Sequence, residues 1–204
     1  MKKICKVDGC KNKHLAKGYC WKHYLQLRRH GKILKRTVYD PNEIIITDDI
    51  AEIVLYNRKC QEIDRTIIDT EDVERVENHM WYLTDKGYAA TNINGKRVKI
   101  QHIIMGTKSL IDHKDRNKLN NRKSNYRFCT SAENSKNIGI LRSNTSGYKG
   151  VCWHKQAKKW QARIEVNKIR HYLGLFKTRK EAAKAYNIAC LKHHGEFACL
   201  NRLG

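Results

Sequence analysis

The sequence predicts an α+β protein built from three small modules, and three observations support this. Cysteine and histidine cluster near the N-terminus, branched apolar runs fill the first half of the chain, and strand-like alternation gives way to helical spacing near the C-terminus. We expect modules at residues 1–36, 42–142 and 143–204. Pro41 and the stretch 142–147 mark the two boundaries, because proline and Ser/Asn/Gly-rich stretches interrupt regular structure.

The charge of the chain predicts a polyanionic partner. Its 204 residues include 42 Lys and Arg against 20 Asp and Glu, a formal net charge of +22. By segment, residues 1–40 carry +10, 41–100 carry −4, 101–142 carry +6 and 143–204 carry +10. No run of about 18 apolar residues is present to span a bilayer, and the charged N-terminus does not fit a secretory signal. We therefore expect a soluble, intracellular (cytoplasmic) protein with no membrane partner.

The first module carries a predicted zinc site. Cys5, Cys10, Cys20 and His23 are separated by four, nine and two residues, so two close pairs flank a short connection. Three thiolates and one imidazole suit tetrahedral Zn²⁺. The connection has too few apolar residues to hold a fold alone, so metal binding would supply the folding energy. His14 is a competing ligand, and free thiols in a basic arm are the alternative interpretation.

The acidic segment is expected to be a β-rich scaffold. Strands are predicted at 43–47, 50–56, 62–68, 87–93 and 96–100. Asn94-Gly95 is typical of a tight hairpin turn. A helix capped by Thr70 should follow the third strand, with Val73, Val76 and Met80 on one face. Because its net charge is negative, this region should bind phosphate poorly.

The most informative stretch is 111–137, where an acid and an imidazole are adjacent at Asp112-His113. A strand should end there, followed by a polar loop, a second strand over 124–129 and a helix from residue 131. Thr130 and Glu133 match a capping box at the start of that helix.

This ββα order would bring Asp112 and His113 close to Asn134 in the first helical turn. Asn125, in the second strand, would tie the loop backbone in place. The alternative interpretation is a solvated turn of good loop-forming residues.

These residues resemble the HNH nuclease motif, in the form found in phage and intron-encoded homing endonucleases. The resemblance implies a ββα-metal domain in which His113 is the general base that takes a proton from water, and Asn125 fixes the loop. It also implies that Asp112 and Asn134 hold one Mg²⁺ or another divalent ion. The third family position is often histidine, and Asn134 departs from it in the manner of the homing branch.

The third module should be a three-stranded sheet braced by a helix. Residues 160–166 alternate apolar and polar side chains, a second strand pairs across Asn167-Lys168, and the spacing becomes helical from Thr178, which forms a capping box with Glu181.

The segments YKGV (148–151), WQARI (160–164), YLGLF (172–176) and EAAKAY (181–186) resemble the ethylene-response-factor (Apetala-type) DNA-binding domain. The resemblance implies that the sheet enters the major groove of duplex DNA. The positions that contact DNA in that family are occupied here by Lys149, His154, Arg163, Arg170 and Tyr172. Cys152 stands where the family has a base-reading arginine, so the plant target site should not be transferred. A basic sheet that contacts phosphates alone is the alternative.

Further phosphate contacts are expected from basic residues outside that domain: Arg28 and Arg29 in the helix and basic tail after the zinc ligands, and Arg116, Lys118, Arg122, Lys123 and Arg127 around the nuclease motif.

Together, the three modules predict a site-specific DNA endonuclease of the homing or phage type that binds double-stranded DNA. A monomer should nick one strand, and a double-strand break would require a second subunit, as in a DNA-induced dimer, or a second binding event. The first rival hypothesis is a non-catalytic, sequence-specific DNA-binding regulator. The second is a structural or RNA-binding protein that uses its charge alone.

Overall fold

A computed structural model describes residues 3–204, which form a mixed α/β chain with four small antiparallel sheets. The helices are α1 (Trp21–His30), α2 (Val73–Val76), α3 (Ile100–Ile104), α4 (Ser131–Lys136) and α5 (Arg179–His194). The strands are β1 (Ile44–Thr47), β2 (Ile50–Tyr56), β3 (Glu62–Asp69), β4 (Tyr82–Leu83), β5 (Ala89–Ile93), β6 (Lys96–Lys99), β7 (Ile111–His113), β8 (Tyr126–Phe128), β9 (Val151–His154), β10 (Lys159–Val166) and β11 (Ile169–Phe176).

The β-rich scaffold and the β7–β8 hairpin share one hydrophobic core. The sheet β1–β2–β3 contributes Ile53, Leu55 and Ile68, which are fully buried. Ile111 of β7 and Tyr126 of β8 pack into the same cluster. The predicted strands of the scaffold are confirmed, and their core fixes the position of the residues that follow β7.

Local turn signals in this region are also confirmed. The β5–β6 hairpin turns at Asn94 and Gly95, whose φ values of 50° and 74° are those a tight turn of this kind requires. Thr130 and Glu133 exchange both hydrogen bonds of a capping box at the start of α4.

The helix expected from Thr70 is much shorter than predicted. A 3₁₀ turn over Thr70–Asp72 leads into α2, and Met80 is 44% exposed. The Thr70 hydroxyl donates to the carbonyl of Asp48 and does not cap a helix. The chain leaves the helix so that Trp81 can become buried and donate its Nε1–H to the carbonyl of Val76.

The C-terminal module is a β9–β10–β11 sheet packed against α5, as predicted. Ala162 and Ile164 face the helix, whereas Arg163 lies on the opposite, exposed face. Gly150, just before β9, has φ +73°, and a Cβ built on it would overlap the ring of Tyr186 in α5. The sheet and helix therefore approach closely at this point.

The N-terminal module consists of short bridged loops followed by α1, which ends at Gly31 in a left-handed conformation. An irregular segment connects it to the scaffold, where the Asn42 side chain bonds the backbone of Val54 and Trp81. Within residues 3–204, no helix combines the length and apolar character needed to cross a membrane.

Candidate active site and metal centre

The four predicted zinc ligands converge in the N-terminal module. Their ligand atoms all lie within 4.8 Å of one another. Cys5 Sγ is 3.2 Å and Cys20 Sγ 3.5 Å from His23 Nδ1, and Cys10 Sγ is 3.9 Å from Cys20 Sγ. Three sulfurs and one nitrogen at this spacing could bind zinc. His14 is not part of the group.

His113 lies at the end of β7, opposite Tyr126 of β8, and is only 4% exposed. Its Nε2 is 3.1 Å from Oδ1 of the fully buried Asn121. The orientation of Asn121 is fixed, because its Nδ2 donates to the Thr66 hydroxyl at 2.7 Å and to the Lys118 carbonyl at 3.2 Å. Asn121 therefore offers an acceptor to His113, so Nε2 carries the proton and Nδ1 remains as the basic nitrogen.

The protonation of His113 is set mainly by its burial. Burial lowers the pKa of this imidazole below its usual 6.5 and outweighs Asn121, Asp115 and Asp112, which favour the protonated form. The imidazole is thus neutral at pH 7, with a nitrogen free to accept a proton.

Asp112 is buried and held by two partners. Its Oδ2 accepts from Arg127 Nε at 2.8 Å and from Arg127 Nη2 at 2.5 Å. Asn137 donates its amide to both carboxylate oxygens, at 3.1 and 2.9 Å, and to the carbonyl of His113 at 3.0 Å. These hydrogen bonds fix the orientation of the carboxylate.

Arg127 also contacts the C-terminal module. Its Nη1 donates to the carbonyl of Glu196, and its guanidinium lies 4.0 Å from the ring centre of Phe197. One side chain therefore connects Asp112 to the module that follows.

Asn125 lies in a 3₁₀ turn over Lys123–Asn125, not in the second strand as predicted, because β8 starts one residue later. Its Oδ1 accepts from the amide of Asp115 at 3.0 Å, and its Nδ2 donates to Asp115 Oδ1 and to the carbonyl of Asn120, both at 2.8 Å. These bonds close the loop between β7 and β8.

A half-open cavity of about 370 Å³ brings most of the predicted residues together. Its lining includes Asp112, His113 and Asn134, with Arg116 and Lys118. Asn125 is not part of the lining and lies behind the loop. Asn134 therefore shares the cavity with Asp112, while it is Asn137 that contacts the carboxylate.

Several of the predicted phosphate-binding cations have partners within the protein. Arg122 bonds Asp69 at 2.6 Å and Asp49 at 2.5 Å. Lys149 Nζ donates to the carbonyls of Lys136 and Ile138 at 2.8 and 2.6 Å. Arg116 Nη1 reaches the Cys199 sulfur at 2.7 Å, and Lys118 Nζ bonds the Lys86 carbonyl at 2.8 Å.

Other predicted contacts lie on open surface. Arg163 and Tyr172 face each other across β10 and β11 and are both exposed on the side opposite α5. Arg170 is on the same face, 3.5 Å from Glu165. His154 in β9 is half-buried and accepts from the amide of Ala157. Arg28 and Arg29 are exposed in the last turn of α1.

Sequence reasoning missed Asn121 and Asn137, and it treated Arg127 as a phosphate contact. The signal for Arg127 was available, because pairing 111–113 with 126–128 in an antiparallel hairpin sets Arg127 opposite Asp112. Asn121 and Asn137 belong to an asparagine-rich stretch in which composition does not distinguish one amide from another.

Comparison with known proteins gives one relative that matches most of the chain and others that match parts of it. An uncharacterized HNH endonuclease of Acanthamoeba polyphaga mimivirus is 30% identical over 183 residues, covering 86% of this chain and 94% of the viral protein. Protein 3.8 of Escherichia phage T7 is 32% identical over 98 residues, covering 43% of this chain and 72% of the phage protein. An AP2-like ethylene-responsive transcription factor of Oryza sativa subsp. japonica is 45% identical over 74 residues.

The rice match covers 31% of this chain and 11% of the plant protein, so it is a likeness to one part of each. No model of a known protein family matches the chain. No solved structure matches it either. The similarity to the mimivirus protein extends over most of both chains and is not confined to one motif. On that evidence, the chain belongs to the HNH endonuclease family.

Proposed function

We propose that this protein is a site-specific DNA endonuclease of the phage or homing type. It hydrolyses a phosphodiester bond with His113 as general base and one divalent cation at Asp112 and Asn134. One observation carries the proposal: a buried imidazole with a free Nδ1 lies beside a fixed carboxylate in a single cavity. Family membership through the viral relative gives it independent support.

The role of His113 follows from its surroundings. A general base must be unprotonated at working pH and must hold its ring in one orientation. Burial keeps His113 neutral, and because Nε2 donates to Asn121, Nδ1 is the ring nitrogen left to accept a proton. Nδ1 then takes the proton of a water molecule in the cavity, and Asn125 stabilises the loop that carries Asn121.

The donor chemistry of the cavity suits a hard divalent cation such as Mg²⁺. The Asp112 carboxylate and the Asn134 amide oxygen are ligands of the type that Mg²⁺ prefers, and an open cavity leaves room for its waters. When bound, the cation would neutralise charge on the leaving oxygen. Arg127 bonds Asp112 Oδ2 while it also contacts Glu196 and Phe197, so a bound cation would share that oxygen with Arg127 or displace the guanidinium from it.

The flanking modules are proposed to select the target. Cys5, Cys10, Cys20 and His23 would hold a structural Zn²⁺ that stabilises residues 1–36, with Arg28 and Arg29 exposed to phosphate. Residues 143–204 would bind duplex DNA through the open sheet face of Arg163, Arg170 and Tyr172, in line with the likeness to AP2-like transcription factors. With one such cavity for each chain, a monomer nicks one strand and a DNA-induced dimer cuts both.

The test is cleavage of a supercoiled plasmid library that carries phage genomic fragments, in Mg²⁺. Wild-type protein should convert some plasmids to nicked or linear forms. His113→Ala should lose at least about a hundredfold in rate, because a general base contributes roughly that much or more, while duplex binding persists. His102→Ala is the matched control, since His102 bonds the carbonyl of Thr107 outside this cavity.

Full activity in His113→Ala would reject this residue as the base. Tight binding of a confirmed target without any product from wild type would instead favour a non-catalytic DNA-binding regulator. One observation favours that second candidate: the Asp112 carboxylate is occupied by Arg127. If wild type does not cut, Arg127→Gln separates the two functions. It frees the Asp112 carboxylate, so cleavage should appear only if the ion pair with Arg127 had kept the metal from binding.

A further inference from the structure

Tyr88 gathers two lysine side chains at the edge of the candidate active site. The ammonium nitrogen of Lys99 lies 3.9 Å from the centre of the Tyr88 ring, and that of Lys118 lies 4.7 Å from it. Aromatic rings attract cations at these distances. The Tyr88 backbone is held by Thr84, whose hydroxyl accepts from the Tyr88 amide at 2.9 Å. The ring therefore keeps two positive charges in one place.

These two charges have no carboxylate partner. Across residues 3–204, neither ammonium group has an Asp or Glu oxygen within 4.0 Å. Burial, with repulsion from Lys118 and Lys86, lowers the pKa of Lys99. Like charges held together without a counter-ion are unfavourable, and an anion that binds between them relieves the repulsion.

The position of the pair indicates which anion it would meet. Tyr88 and Lys118 line the same cavity as Asp112, His113 and Asn134. The Tyr88 ring centre is 6.1 Å from that of His113. A polyanionic strand bound with one phosphodiester at His113 would therefore have a phosphate within reach of the two lysines.

We infer that Lys99 and Lys118, held by Tyr88, bind a phosphate of the DNA strand and position it at the cleavage cavity. The inference rests on the proposed nuclease function and deepens it. It assigns a substrate-binding role to the scaffold, which the net negative charge of residues 41–100 argued against. The two lysines are positioning residues and take no part in proton transfer.

The experiment compares Lys99→Met, Lys118→Met and the control Lys108→Met. Lys108 lies outside the cavity, on another part of the surface. Each of the first two variants should lower kcat by about tenfold or more, because a misplaced phosphate slows the reaction. Each should also reduce the salt dependence of duplex binding, the slope of log K against log salt, by about 0.9. Tyr88→Leu, which removes the aromatic ring, should lower the salt slope as the lysine variants do, whereas Tyr88→Phe, which keeps the ring, should keep the slope of wild type.

Thermal unfolding and circular dichroism of each variant identify any that fail to fold, and Lys118→Gln then replaces Lys118→Met. Salt slopes and kcat values equal to those of Lys108→Met would overturn the inference. If wild type binds DNA but does not cut it, the proposed nuclease function fails, and the salt slopes still decide whether the lysines contact phosphate.

Discussion

The two basic ends of the chain carry the same charge but are stabilised in different ways. Residues 1–40 and 143–204 each carry +10. In the described part of the first segment, the buried residues are Cys5, Cys20, His23 and Gln26, while Trp21 is 64% exposed. The second segment buries Ala162, Ile164, Ala182, Tyr186 and Cys190 between a sheet and α5. Attraction to DNA thus needs only exposed cations, whereas folding requires either a metal or an apolar core.

The largest effect should come from removing one of the four candidate zinc ligands. Cys20→Ser should leave the N-terminal module unfolded and the C-terminal module intact, because metal binding supplies on the order of 10 kcal/mol in modules of this kind. Zinc content by mass spectrometry and the amide NMR spectrum measure both halves of the prediction. Cys60→Ser, at a half-buried cysteine outside the ligand cluster, is the control. A variant that keeps its zinc and its N-terminal resonances would contradict this account.

A substitution in the apolar core of the C-terminal module should destabilise that module alone. Gly150→Ala sets a methyl group against the Tyr186 ring at positive φ, and we expect it to lower the free energy of unfolding by about 2–4 kcal/mol. Gly147→Ala is the matched control, since Gly147 has φ +77° and open space around its Cβ position, so its cost should be only about 1 kcal/mol. Urea unfolding followed by tryptophan fluorescence compares the two. Equal costs would show that the close contact has no energetic role.

The two modules should also differ in how they bind DNA. Arg163→Ala removes a side chain from the sheet face and should cost about 1–3 kcal/mol on the preferred sequence, with relaxed preference at one base pair. Arg29→Ala removes an exposed cation for which we propose a phosphate contact, and it should weaken binding evenly across sequences. Affinity for a selected target and for scrambled duplexes measures the difference. Uniform weakening by Arg163→Ala would assign the sheet to phosphate contacts alone.

The smallest effect should be the pH dependence of the stability of the C-terminal core. Burial lowers the pKa of His194 below 6.5 while its Nε2 bonds the Glu165 carbonyl. Below pH 6.5 the unfolded chain takes up a proton that the folded module refuses, so stability should fall as the pH drops from 7 to 5. His194→Gln should flatten this dependence in the same urea experiment. An unchanged pH profile in that variant would assign the effect to another group.

The elements that the sequence predicted correctly are those with local signals. Asn94-Gly95 determines its hairpin, and Thr178 with Glu181 determines the start of α5, because the interacting groups are within a few residues. The helix expected from Thr70 was too long because burial of Trp81 competes with helical spacing.

The candidate site likewise combines features that the sequence shows with contacts that it does not show. The adjacency of Asp112 and His113 is visible in the sequence, but the amide that orients His113 depends on Thr66, 55 residues before Asn121. Asn137 contacts Asp112 because α4 ends at Lys136 and its C-terminal end turns back towards β7. Contacts of this range follow from packing, which spacing alone does not report.

The contacts of Arg127 with Glu196 and Phe197, together with the bonds from Lys149 to Lys136 and Ile138, have a consequence for where a cut would fall. They link the candidate cavity to the C-terminal module by direct side-chain contacts, so we expect the two to keep one relative position. If that sheet reads the target, the broken bond lies at a constant offset, in base pairs, from the sequence that is read. Base pairs inserted between the two would then abolish cutting and would not shift it.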